Sequence, residues 1–175
     1  MALLVWSVLG CGLAAAQQYT KEGELVLPKD YRQWVFLSSG IGMTYTSAAP
    51  AGNPPFENVF VNPAAYQEFM KTGVWPDKTV LLLEIRASDS RVSINKEGRI
   101  QTNRVAVEAH VKDSAKGGWA FYGFQNGEKG APLPKTADCY SCHEQNGATD
   151  TTFVQFYPTL IETAKSHGKY KETGH

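Results

Sequence analysis

The run Thr79-Val80-Leu81-Leu82-Leu83-Glu84-Ile85 is nearly all apolar, branched and bounded by turn residues, which is the pattern of a central strand buried on both faces. Around it the apolar positions fall in short extended stretches. Val35-Phe36-Leu37 opens a core strand behind a brief helical lead, Lys29 to Trp34, and Asn58 to Val61 makes another strand. Val92-Ser93-Ile94 and Val105 to Val111 alternate at period two, predicting a hairpin within Arg91 to Lys112 that turns at Asn95 to Gly98. Gly118 to Phe124 is a further strand, dense in aromatics. Helices are fewer. Asn62-Pro63 predicts an N-cap with proline at the first helical position, opening a helix through Met70 that Gly73 ends, with Tyr66, Phe69 and Met70 on its apolar face. Phe153 to Tyr157 leads to a break at Pro158 and a second helical piece, Leu160 to Lys165, after which residues 166 to 175 are polar and expected to fray. Ser47 to Pro55 holds three prolines and a glycine and reads as a loop. Strands that follow one another without long intervening helices predict an α+β chain, predominantly antiparallel sheet with a few helices toward the C-terminus.

Composition narrows the function classes. The 175 residues fit one domain, and 17 Lys+Arg against 17 Asp+Glu leave no basic surplus to neutralise nucleic acid or an acidic membrane. Residues 2 to 16 carry no charge and end in Ala14-Ala15-Ala16 before Gln17-Gln18. The stretch is shorter than the roughly 20 apolar residues of a membrane-spanning helix, and its small-residue end suits a signal-peptide cut after Ala16. The expected organisation is therefore a signal peptide at 1–16 and one exported, periplasmic domain at 17–175. Cys11 has too few residues and no basic residue ahead of it to serve as a lipoprotein cysteine. Its removal leaves Cys139 and Cys142 as the cysteines of the mature chain.

These two cysteines form Cys139-Tyr140-Ser141-Cys142-His143, the C-x-x-C-H attachment signature of c-type haem. Thiols three residues apart lie about one helical turn apart, so both can form thioethers with the two vinyl groups on one porphyrin edge, and the adjacent imidazole is placed to ligate iron. Thr136 is the candidate N-cap of that turn. Other uses compete with haem. One is a disulfide between Cys139 and Cys142. Another is a thioredoxin-like dithiol, which needs a βαβ setting that the pattern lacks. A zinc site would need a further ligand, and only His110, His167 and His175 stand outside the motif. One covalent haem c near the C-terminal helical segment, with His143 as axial ligand, is the expectation.

The chain also resembles the cytochrome P-460 family, which includes the c′-beta cytochromes. The likeness runs through Gly23 to Val35, Val61-Asn62-Pro63-Ala64-Ala65-Tyr66, Lys71-Thr72-Gly73, Val107 to Asp113 and Gly118 to Tyr122. It continues in Leu133 to Ala137 with the haem motif and in Phe156 to Leu160. The resemblance implies an antiparallel β fold, one haem c, a homodimer and a periplasmic location. Members that oxidise hydroxylamine carry a lysine crosslinked to the porphyrin immediately before a glutamate on the strand corresponding to Thr79 to Ile85. Here Leu83 precedes Glu84, and Lys78 lies five residues earlier, roughly 16 Å away at a strand's rise. A basic residue that those members place before the Asx-Pro helix start is also missing, the nearest positions being Glu57 and Asn58. Glu108 does match the distal glutamate that serves them as a proton relay.

Loss of the lysine with retention of the haem motif resembles the c′-beta branch, which implies a five-coordinate iron binding NO and CO in an aromatic, apolar pocket. Phe36, Phe56 and Phe60 are candidate pocket residues with Leu83. Period two puts His110 on the same strand face as Glu108, opposite Val107, Ala109 and Val111, and so makes it a distal candidate as well. Met43 and Met70 are candidate sixth ligands, Met70 having packing as its simpler use. Two function classes follow. One is a gas-binding haem protein, with or without electron transfer to an unknown partner. The other is an oxidoreductase acting on hydroxylamine or NO with Glu108 moving protons.

Overall fold

The computed structural model describes residues 17–44, 52–124 and 127–173. Its centre is a seven-stranded antiparallel sheet built from β1 (Leu25–Val26), β2 (Val35–Ile41), β3 (Phe56–Val61), β4 (Val80–Asp89), β5 (Ile100–Asp113), β6 (Gly118–Gly123) and β7 (Lys129–Pro132). The strands from β2 to β7 form a meander, and β1 adds to its edge beside β7, giving the order β1-β7-β6-β5-β4-β3-β2. Helices α1 (Pro63–Thr72), α2 (Asp138–Asn146) and α3 (Pro158–Ser166) complete the described residues together with three short 3-10 turns. The α+β class and the antiparallel sheet are as the sequence predicts. No helix among the described residues is long and apolar enough to cross a membrane.

Each sheet face has its own core. The N-terminal segment lays Leu25, Leu27 and Tyr31 against Val80, Leu82, Val107, Ala109 and Val111. The opposite face packs Val61 and Leu81 against Phe69 of α1, Trp75, and Val154, Leu160 and Ala164 of the C-terminal segments. Burial of both faces explains why β4 reads as a continuous apolar run rather than an alternation. One buried charge interrupts it. Glu84, 3% exposed, accepts hydrogen bonds from Tyr31 Oη, from Arg32 Nη2 at 2.6 Å and from Arg86 Nη1 at 3.2 Å. Burial pushes its carboxyl up, but these donors outweigh that and hold it below the usual range.

Several local expectations are corrected. Val92 to Ile94 form no strand: β4 and β5 are joined through residues 90–99, where Ser93 has φ 55° and Ile94 is fully exposed. Ile94 has no partner strand and no core to enter. Gly73 does end α1, at φ 67°, but Asn62 makes no side-chain cap. Its Oδ1 instead accepts the Val80 N–H at 2.8 Å, fastening α1 to the start of β4. Pro158 opens α3 as its first residue rather than breaking a helix. The segment after α3 is tied down: Lys169 N donates to Ala164 O, Lys171 N donates to Ala148 O, and Tyr170 packs on the core, so fraying from residue 166 does not hold there. Short β1 and β7 escape the pattern, β7 because Lys-Gly-Ala-Pro carries little strand propensity. Residues 1–16, expected to be a signal peptide and holding Cys11, lie outside the described residues, as do 47–51 of the expected Ser47 to Pro55 loop.

Candidate functional site

A cavity of about 480 Å³ lies between the helix-covered face of the sheet and the C-terminal segments. One wall is α2, which brings Cys139, Cys142 and His143 to the cavity. Helix α2 starts at Asp138 with Ala137 as its N-cap residue, so Thr136 is not the cap. Asp138 stands in the first turn, where a negative charge suits the helix dipole. Cys139 and Cys142 are both half-buried and are not joined in a disulfide.

His143 is fixed from all sides. Its Nδ1 meets the Thr151 carbonyl at 2.8 Å, which makes Nδ1 the protonated nitrogen and leaves the Nε2 lone pair for a metal. Burial lowers the imidazole pKa and the carbonyl hydrogen bond partly offsets this, so the ring is neutral, as ligation requires. Phe153 at 4.2 Å, Phe121 at 4.7 Å and His110 at 4.8 Å between ring centroids pack around it.

The sheet makes the other wall. Val59, Leu81, Leu83 and Ile85 present apolar side chains, and Glu57 and Glu108 the acidic ones. Leu83 pairs with Val59 on one side and with Glu108 on the other, so the three stand in one row across β3, β4 and β5. Burial raises the Glu108 carboxyl above its usual range, and burial together with the Glu108 charge raises Glu57. Neither carboxylate has an ion-pair partner among the described residues. In the sequence Glu57 stands out only as a position where the resemblance implies a base. Its place on the wall follows from register, because Glu57 and Val59 share a face at period two.

The sequence candidates divide. Leu83, Glu108 and His110 line the cavity, as does Met43, which packs against the Cα of Gly40. Phe36, Phe56 and Phe60 do not. Phe60 alternates with Val59 and packs on the opposite core beside Tyr31 and Phe36. Phe56 alternates with Glu57 and falls on that same far face, and Phe36, paired with Phe60, is half exposed. The aromatics that do line the cavity come from later in the chain: Phe121, Phe153, Phe156 and Tyr157. Met70 stands away from the cavity, 38% exposed, with its sulfur against Thr163.

His110 also takes an unexpected place. It is stacked on Phe121 at 4.1 Å and beside Trp119 at 4.2 Å, buried next to His143 rather than across the cavity from it. Burial, then the positive charges that His143 and Lys135 can carry, push its pKa well below the ordinary histidine value. Lys78, two residues ahead of β4, is held by Asp113 with Asp77 nearby, and no lysine among the described residues lines the cavity.

The residues fit a covalent haem. Two thiols and a neutral imidazole with a free Nε2 converge on one largely apolar cavity, and among the described residues no set of three or more His, Cys, Asp and Glu side chains is arranged to hold a bare metal ion. No curated protein matches the chain. The sequence profile of the family described as Cytochrome P460 matches residues 28–154, which span β2 to β7, α1, α2 and the cavity-lining residues named above except Phe156 and Tyr157. The chain therefore belongs to the cytochrome P460 family.

Proposed function

We propose that this protein is an exported c-type haem protein that binds small nitrogen-oxide and related ligands such as NO and CO. Cys139 and Cys142 hold the haem by thioethers, and His143 is the sole protein ligand to iron. Bound haem supplies an iron centre with an open position for a small ligand and for one-electron chemistry. The observation that carries the reading is the row Val59-Leu83-Glu108 facing the C-x-x-C-H helix across one cavity, with leucine where the hydroxylamine-oxidising relatives implied by the resemblance carry lysine. The apolar part of that wall, Val59, Leu81, Leu83 and Ile85, suits an uncharged diatomic ligand, and leucine in place of the lysine leaves the porphyrin unmodified. The c′-beta branch is thus the closer one. Export, a homodimer and an electron-transfer partner belong to the same reading.

Glu108 keeps a second reading in view, an oxidoreductase acting on hydroxylamine or NO. Burial raises its pKa above the ordinary glutamate value, which favours the protonated carboxyl and suits the group to exchange a proton at the cavity wall.

Titration of the reduced holoprotein with CO and NO, beside a steady-state assay with hydroxylamine and an electron acceptor, tests the proposal. Saturable gas binding without hydroxylamine turnover is expected. Turnover that falls in Glu108→Gln would establish the second reading, and absence of gas binding would overturn the first.

A further inference from the structure

The turn that carries the His143 hydrogen-bond acceptor is built against its own residue preferences. Thr149 and Thr152 pair as an isolated bridge, and Asp150 and Thr151 between them have φ 45° and 61°. Positive φ at both central residues is the signature of the type I′ turn, which normally takes Asn-Gly. Aspartate tolerates that conformation, whereas a β-branched threonine there is a true outlier. A free turn of this sequence would relax, and rotation about the Thr151 N–Cα bond would swing its carbonyl away from His143 Nδ1.

Two side chains from distant elements pin the turn on either side of Thr151. Lys112 of β5 donates from Nζ to Asp150 Oδ2 at 2.7 Å and to the Trp75 carbonyl at 2.8 Å. Trp75 donates from Nε1 to Thr152 Oγ1 at 2.9 Å, and that hydroxyl donates to Thr149 O. The Lys112 ammonium lies 5.6 Å above the Trp119 ring, half-shielded from water, so its ion pair is less screened than a surface one.

We infer that Lys112 is a positioning residue for the iron-binding imidazole, holding the strained Asp150-Thr151 turn so that the Thr151 carbonyl accepts from His143 Nδ1. This rests on the reading of His143 as the axial ligand. The hydrogen bond makes the imidazole a stronger donor through Nε2, so it strengthens the iron–histidine bond and favours ferric iron. Lys112 thereby acts on the metal without touching it.

The test uses the ferrous holoprotein and reads the iron–histidine stretching band by resonance Raman together with the midpoint potential. Lys112→Met should move the band to lower frequency and the potential upward, and Lys112→Arg should keep both near wild type. Thr151→Gly removes the side chain that resists the left-handed conformation while keeping the carbonyl. In the Lys112→Met background it should therefore return the band toward its wild-type position, which loss of a nearby positive charge alone would not allow. Asp150→Ala, which removes the acceptor for the Lys112 ammonium, should shift the band in the same direction as Lys112→Met and serves if that variant accumulates poorly. Wild-type frequency and potential in both Lys112→Met and Asp150→Ala would overturn the inference. Absence of any iron–histidine band in the wild type would instead defeat the His143 assignment on which it rests.

Discussion

His110 and His143 stand edge to face with ring centroids 4.8 Å apart. Two imidazoles bound to opposite sides of one metal, with metal–nitrogen bonds of about 2 Å, have centroids roughly 6 Å apart and point at each other. The two rings are therefore neighbours on one side of the site. His110 packs the surroundings of His143 and is not placed to be its counterpart. Among the described residues its buried Nε2 has no hydrogen-bond partner, so the ring bears a desolvation cost that packing must offset.

His110→Phe should accordingly keep haem content and the ferrous coordination state, and should leave stability unchanged or raise it by on the order of 1 kcal/mol, because an unpartnered buried nitrogen is exchanged for carbon. Thermal melting and the absorption spectrum check this. A six-coordinate ferrous state in the wild type that becomes five-coordinate in His110→Phe would show that His110 ligates iron.

The acidic pair makes stability depend on pH with a definite sign. Glu57 and Glu108 have raised folded-state pKa values. Their contribution is fully present below the ordinary glutamate pKa and is lost as pH rises through the raised folded values. Glu57→Gln should therefore raise the melting temperature at pH 7 relative to wild type and should give no such gain below about pH 4. Equal gains at both pH values would show that burial and the nearby Glu108 charge do not penalise the Glu57 carboxylate.

Glu84 behaves in the opposite way. Its folded-state pKa is lowered, so the network with Tyr31, Arg32 and Arg86 stabilises above the unfolded glutamate pKa and is lost as pH falls through the lower folded value. Removal of a buried partner leaves cations facing an apolar layer, and Arg32 is half exposed, which reduces the penalty. Glu84→Ala should cost on the order of 2 kcal/mol in urea unfolding at pH 7. A loss below a few tenths would mean that water replaces the network without cost.

Much of this architecture is legible from local chemistry. The continuous run of β4, the Pro63 start and Gly73 end of α1, and the C-x-x-C-H helix follow from residue types and spacing alone. The pocket aromatics do not. Phe36, Phe56 and Phe60 are as apolar as Phe121, Phe153 and Phe156, and what separates them is which sheet face each strand register exposes and which face the C-terminal segments cover. Period two relates residues within one strand, so it placed His110 on the face of Glu108 correctly. It could not show that α2 would bring His143 against that imidazole. The acceptor for His143 is hidden for the same reason, since it is a backbone carbonyl in a turn closed by side chains 38 and 77 residues from their partners.

The central claim is an unmodified haem carried by Cys139 and Cys142, and the intact mass of the holoprotein under denaturing conditions, with peptide mapping of the adduct, tests it most directly. The account predicts the mature chain plus one haem joined at these two cysteines, with every lysine free. A haem that separates from the chain on denaturation, or a further bond from the porphyrin to a lysine such as Lys78, would contradict it.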